Sequence, residues 1–386
     1  MPPAAGIRST KRSSMPPAAV PDDLIDEILL RFPPEKPELL VRAALVCKCW
    51  FRLISDPRFR RRFRELHRAA PMLGFFCTER GRWTSRFVPT SSVPLPHAIR
   101  GNWRAVDARH GRVLISTSRS SGNDLVVWDP VTGEQHRLPK LPEHMYPPQY
   151  LLGFYWTAAV LCAAVEGGCD HFDCHRSPFL VVFVCTGPTE AFAYVYSSET
   201  GEWSGPASAQ LRSARVHLNV PSALVGNALH FMSGKWGRTK KILKYVLGTQ
   251  EISLIHLPHK PYNRRELMTM ADGSLGFATV DGSKLCLWSM VSGTNASWAQ
   301  SHTIDLKTIG TLPGSLTIVC CMDGMAAILM GINDQEFFVV NLKSRQIRKI
   351  PKGRFAYPVV PFMSFYTPAL GAASTSEGPR EGSSSA

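Results

Sequence analysis

Hydrophobic positions along the chain follow two rhythms, and the change falls near residue 71. Before it, Leu24, Ile25, Ile28, Leu29 and Phe32 recur at helical spacing and predict one apolar stripe. Asp22 or Asp23 can cap that helix after Pro21, with Asp26 and Glu27 in the first turn, where the helix dipole favours acids; Pro33 and Pro34 end it. A second helix is expected from Pro37 through "ELLVRAALVCKCWFRLI". It is apolar around most of its circumference, so it should be buried on more than one side. Ser55-Asp56-Pro57 then caps a third helix, with Phe59, Phe63 and Leu66 on one side and arginines on the other.

From about residue 100 the rhythm becomes that of strands. "DLVVWD", "FLVVFV", "AFAYVY", "ALHFM" and "EFFVVNL" alternate or run apolar between Gly, Pro, Asn and Ser. One strand–turn–strand unit recurs as "LVVWDPVTGEQHRL", "AYVYSSETGEWSG", "LKYVLGTQEISLI", "LCLWSMVSGTNASWA" and "FVVNLKSRQIRKI". With Trp128, Tyr196, Tyr245, Trp288 and Val340 equivalent, the intervals are 68, 49, 43 and 52 residues. A period of roughly 40 to 50 residues is that of a four-stranded propeller blade. The long first interval predicts an insertion.

The low-complexity ends, residues 1–19 and 369–386, cannot build a core and are expected to be disordered. The fold class is therefore α+β multidomain, with a helical unit at 20–70 and an all-β propeller-like unit of about six blades at 71–368. Net charge is +14, with 14 basic and 8 acidic residues in positions 1–70 and 30 and 22 in the rest. Such a spread bears on association with anionic partners and not on fold. Ten cysteines sit at irregular spacing behind a first segment without an apolar h-region, so reduced thiols in the cytoplasm or nucleus are expected. The uncharged run from Met145 to Val165 contains an apolar part shorter than the roughly 20 residues a membrane helix needs, and reads as two buried strands.

Cys47-x-Cys49 cannot be half of a metal site, because residues two apart on a helix point to opposite sides; both are expected in the core. "CDHFDCH" at 169–175 is richer, with Cys169, His171, Cys174 and His175. Its ligands are crowded into one loop, whereas closed zinc sites draw ligand pairs from separate segments, so no metal is expected. The arginine row at 58–68 reads as a solvated helix face before it reads as a phosphate-binding one, and nucleic acid is not expected as a partner. Gly-rich phosphate loop, G-x-S-x-G elbow and H-E-x-x-H are all missing, so the chain is not expected to be an enzyme and no catalytic residue or cofactor is assigned.

A helical unit of about 50 residues with this much apolar surface wants a partner. "VPDDLIDEILLRFPPEKPELLVRAALVCKCWFRLISDPRF" closely resembles the F-box motif: a Leu-Pro-like start, a helix bearing Leu and Ile-Leu, a V-C-K-x-W core and a closing L-I-S-D-P. Val20 stands where the family has Leu, and "PPEKPE" lengthens the first connection. The later units, "VVWDPVTGEQHRLP" above all, resemble the propeller-type repeats, kelch-like or F-box-associated, that follow the F-box in a large plant group.

The resemblance implies a substrate receptor of an SCF-type ubiquitin ligase. It would bind a Skp-family adaptor and, through it, cullin and RING subunits, while the β domain holds an unknown target. By position, Pro21, Leu24, Ile25, Ile28 and Leu29 would form part of the adaptor surface, and Val46, Cys47 and Trp50 would complete or support it. Arg238, Lys240 and Lys241 lie just before or on the strand "ILKYVL" and are expected at a loop on one rim, where they read first as a solvated patch and, more sharply, as candidates for an acidic or phosphorylated target segment. The rival readings are a basic nucleic-acid-associated protein and a metal-dependent propeller enzyme.

Overall fold

A computed structural model describes residues 21–366, apart from position 69 and the segments 80–83, 91–94, 96, 98–102, 118–123, 142–154, 165–168, 170, 172–173, 175–176, 212–214, 217–219, 236–237, 259–264, 292–296, 309–315, 322–326, 333–335, 342–345 and 351–354. The expected disordered ends therefore lie outside the described residues. Four helices come first: α1 (Asp22–Leu30), α2 (Pro37–Ala44), α3 (Lys48–Ser55) and α4 (Pro57–His67). Pro21, not an aspartate, is the N-cap of α1, and Asp22 and Asp23 belong to the helix itself. Pro37 opens α2 at its first turn, as its fixed φ favours. Asp56 caps α4, its carboxylate accepting from the Arg58 amide at 2.7 Å. The helices close on Leu29, Leu30, Leu40, Ala43, Ala44, Ile54, Phe59 and Phe63. Leu66, expected beside the phenylalanines, faces solvent.

The strands of the described residues form six sheets arranged as propeller blades. Blade 1 takes β1 (Met72–Glu79) and β2 (Ser85–Pro89) from the start of the domain. Blade 2 is β3 (Arg104–Arg109), β4 (Arg112–Ser116), β5 (Leu125–Trp128) and β6 (Gln135–Arg137). Blade 3 is β7 (Tyr155–Cys162), β8 (Phe179–Thr186), β9 (Glu190–Ser197) and β10 (Glu202–Trp203), with β11 (Ala207–Gln210) also on β9. Blade 4 is β12 (Ala223–Val225), β13 (Ala228–Lys235), β14 (Arg238–Val246) and β15 (Ile252–His256). Blade 5 is β16 (Arg265–Thr269), β17 (Leu275–Asp281), β18 (Lys284–Val291) and β19 (Ser297–Asp305). Blade 6 is β20 (Leu316–Cys321), β21 (Ala327–Ile332), β22 (Glu336–Asn341) and β23 (Gln346–Lys349). The last strand, β24 (Phe355–Met363), returns to pair antiparallel with β1 as the innermost strand of blade 1.

Trp128, Tyr196, Tyr245, Trp288 and Val340 all fall on third strands and are all buried, so the recurring unit is the third-to-fourth-strand hairpin. Alternate side chains of one strand enter different inter-blade cores. Phe76 and Val360 pack towards blade 2, while Phe75 and Val359 pack towards blade 6. At these positions both faces of β1 and β24 are therefore buried. Tryptophans on two fourth strands latch a blade to the one before it: the Trp203 indole donates to the Pro139 carbonyl, and the Trp298 indole to that of His256, each at 2.8 Å.

Strands β1, β2 and β24 escaped the sequence reading. Pro358 and Pro361 interrupt the strand pattern over 355–363, since proline is rare inside a sheet. An innermost strand has a ladder on one side only, so it tolerates residues without an N–H. Past its end, Phe365 enters the helical core, edge-on to Phe63 at 6.1 Å, and Ser364 N donates to Pro71 O at 3.1 Å. The two units thus share one core residue at the point where the ring is closed. Phe365→Ala should cost about 3 kcal/mol, as for other buried phenylalanines. Thermal melting of the full chain should show one lowered transition for both units; an unchanged melting temperature would contradict the shared core.

Candidate partner-docking surface

The long second helix expected from Pro37 to Ile54 is two helices. α2 stops at Ala44, and Cys47, in extended conformation, begins α3 as its N-cap with Sγ accepting from the Trp50 amide at 3.4 Å. The break turns Leu45 and Val46 outwards, 80% and 64% exposed. Leu24 and Ile28 on α1 are each 55% exposed, and Phe51 on α3 is also exposed. Every such side chain forgoes the roughly 1.5–3 kcal/mol that burial would give, so five in one small unit mark an interaction surface.

The expected adaptor residues divide accordingly. Leu24, Ile28 and Val46 lie on the surface, together with Pro21. Leu29 does not: at 1% exposure it belongs to the interior. Ile25 and Trp50 are half-buried against the same core and support the surface from behind. Cys47 and Cys49 are exposed, correcting their expected place in the core. Leu45 and Phe51 were missed; only the helix break, which a continuous apolar pattern conceals, puts them outside. Arg62 of α4 bonds to Asp26 and, at 2.6 Å, to Glu27, and these acids raise its pKa further, the Glu27 hydrogen bond contributing most. That clamp fixes α1 on α4 from the polar side of α1.

Arg238, Lys240 and Lys241 are residues of β14 and not of a loop, with Lys235 opposite Arg238 and Ser233 opposite Lys241. Inner strands of a propeller run the same way along the axis, so this hairpin tip lies at the end opposite to Phe365. On the Phe365 side lie the β3–β4 turn at His110 and Gly111 and the β7–β8 connection. Inside the ring, Asp107 accepts from the Val160 amide at 3.0 Å and from Arg109 Nε at 3.3 Å, and Arg109 reaches the carbonyl and hydroxyl of Ser222. This buried pair ties blades 2, 3 and 4 together. Among the described residues, no helix is long and apolar enough to cross a membrane.

A family model described as an F-box domain matches residues 19–62. Another, described as F-box protein AT5G49610-like, beta-propeller, matches residues 104–370. The curated F-box protein At5g49610 of Arabidopsis thaliana is 26% identical over 340 residues, covering 80% of this chain and 84% of its own. Among solved structures, a quinonprotein alcohol dehydrogenase-like protein from Bacteroides thetaiotaomicron aligns at TM-score 0.39 and 9% identity over 76% of this chain and 77% of its own. An oligogalacturonate lyase in complex with manganese aligns at TM-score 0.36 and 9% identity over 63% and 62%.

Burial separates the surface from its support in a measurable way. Leu29→Asp should cost more than about 3 kcal/mol, since it buries a carboxylate in an apolar core. Leu24→Asp should stay within about 0.5 kcal/mol of the parent. Chemical denaturation of both variants checks this; equal losses would mean that Leu24 is a core residue.

Proposed function

This chain belongs to the family of F-box proteins with an AT5G49610-like β-propeller, and on that premise we propose that it is the substrate-receptor subunit of an SCF-type ubiquitin ligase. The observation that carries the reading is the apolar surface of Leu24, Ile28, Leu45 and Val46, which faces solvent in a helical unit matching the F-box. A Skp-family adaptor would cover it and connect the chain to cullin and RING subunits, in the cytoplasm or nucleus. The propeller would hold a target protein. Its contribution to ubiquitin transfer is positional: holding a target lysine near a loaded conjugating enzyme raises its effective concentration. No residue of this chain takes part in the bond-making step.

A positional mechanism needs a stiff connection, which the shared Phe365 and the Ser364–Pro71 hydrogen bond support. It also needs the target on a surface that the adaptor leaves free. The end of the ring opposite the F-box meets that need, and the β14 residues Arg238, Lys240 and Lys241 near its hairpin tip suit an acidic or phosphorylated segment.

The adaptor reading is tested by pull-down of purified Skp-type adaptor. Leu45→Asp with Val46→Asp, and separately Leu24→Asp with Ile28→Asp, should each weaken binding by roughly 100-fold or more, as for paired interface anchors. Parent binding should survive high salt. Parent-level binding by both folded double variants would defeat the proposal. For the target, Arg238→Ser with Lys240→Ser and Lys241→Ser should reduce recovery of ubiquitinated partners while adaptor binding holds. If duplex DNA binding falls instead, the basic strand serves nucleic acid.

A further inference from the structure

The β7–β8 connection of blade 3 is the insertion foreseen from the long first interval, and it carries chemistry that the partner-docking reading does not use. Counted along the chain, Cys169, His171 and Cys174 sit too close together for a closed tetrahedral site. The fold supplies what the loop lacks. Cys162, the last residue of inner strand β7, comes from a separate element and joins them. The sulfurs of Cys162, Cys169 and Cys174 and a ring nitrogen of His171 all lie within 4.8 Å of one another. His175, also expected in this group, lies outside the described residues.

We propose that Cys162, Cys169, His171 and Cys174 form a closed, structural zinc site that fastens the β7–β8 connection to the end of the inner strand. Four ligands without an open position are the pattern of structural zinc, and three thiolates with one imidazole select zinc over hard cations such as magnesium or calcium. The separations need only a small contraction, since tetrahedral Zn–S and Zn–N bonds of roughly 2.0–2.3 Å put neighbouring ligand atoms slightly under 4 Å apart. Cys174 Sγ is already 3.7 Å from His171 Nδ1.

The surroundings agree with this chemistry. The His171 amide donates to Cys169 Sγ at 3.3 Å, a bond that strengthens when the sulfur is ionised. His171 takes up φ 58°, a left-handed conformation costly for a non-glycine residue, and the His110 ring lies tilted against its imidazole at 4.3 Å between centroids. Arg112 stands beside the three thiols, its guanidinium held by the Ser177 carbonyl and over the Phe179 ring at 5.2 Å. Zinc with three thiolates and a neutral imidazole carries one negative charge, and Arg112 balances it from outside the ligand shell. Binding would release the three thiol protons to solvent and leave all three sulfurs ionised.

The test uses the full chain with no metal-binding tag, purified without chelator and equilibrated with zinc. Elemental analysis should find one zinc per chain. Replacement by cobalt should give the visible bands of a tetrahedral, thiolate-bound ion. Cys169→Ser and Cys174→Ser should each lose the metal, while Cys185→Ser, at the far end of β8, should keep it. Substoichiometric zinc in the folded parent would overturn the proposal. So would full zinc retained by both ligand variants, or a Cys162–Cys174 disulfide found by mass spectrometry in protein kept under reducing conditions. Because the parent stoichiometry is decisive by itself, a ligand variant that fails to fold does not rescue the idea.

Discussion

The pairing of β1 with β24 is the contact on which the rest of the molecule depends. A propeller is a ring of blades that bury apolar surface only against their neighbours, so an open ring leaves two faces wet at once. Here the ends of the domain meet in one sheet, with Phe75 opposite Pro361 and Phe76 opposite Val360. Alternate residues of these strands then feed the cores on either side of blade 1. The same closure positions Phe365, two residues beyond β24, inside the helical unit. One structural event therefore seals the ring and sets the helices on it.

The helical unit shows a second constraint, a compromise between folding and binding. Its interior is small, and Leu29, Leu40, Ile54, Phe59 and Phe63 fill it. A continuous helix through residues 37–55 would have presented one unbroken apolar cylinder with no room inside for all of it. Breaking the helix at Leu45 and Val46 sends that surplus outwards as a localised surface. Cys47 makes the break workable by capping the next helix, which explains a cysteine at a position that looks like core in the sequence.

What was legible in the sequence followed how local each signal is. Third-to-fourth-strand hairpins could be recognised because a short turn couples two strands, as at Asp129, whose carboxylate accepts from the Val131 and Thr132 amides. Gly133 ends that turn at φ 81°, and a side chain there would meet the His97 ring. β24 was hidden because its partner lies at the other end of the β domain and its prolines argue against a strand. Leu29 was misassigned to the surface because helical spacing identifies an apolar stripe without saying which residues face the interior. Arg238, Lys240 and Lys241 point to a loop in the sequence because the apolar run "ILKYVL" starts only at Ile242, yet the hairpin pairing continues through them to its tip.

The sulfur cluster shows the same limit most clearly. Spacing rules weigh ligands by their separation along the chain, and on that scale Cys162 belongs to an apolar strand. In space it ends that strand where the inserted connection begins. Propeller insertions leave from strand ends, so a ligand at the last position of an inner strand is well placed to meet ligands in the loop that follows. Blade 3 needs such a fastening more than its neighbours do. Where blade 2 crosses from inner to second strand through His110 and Gly111 alone, blade 3 runs from Ala163 to Pro178. Ordering a connection of that length costs entropy that grows with the number of residues fixed. A metal held between its root and its middle would divide it into two shorter loops, each with less chain entropy to lose on closure.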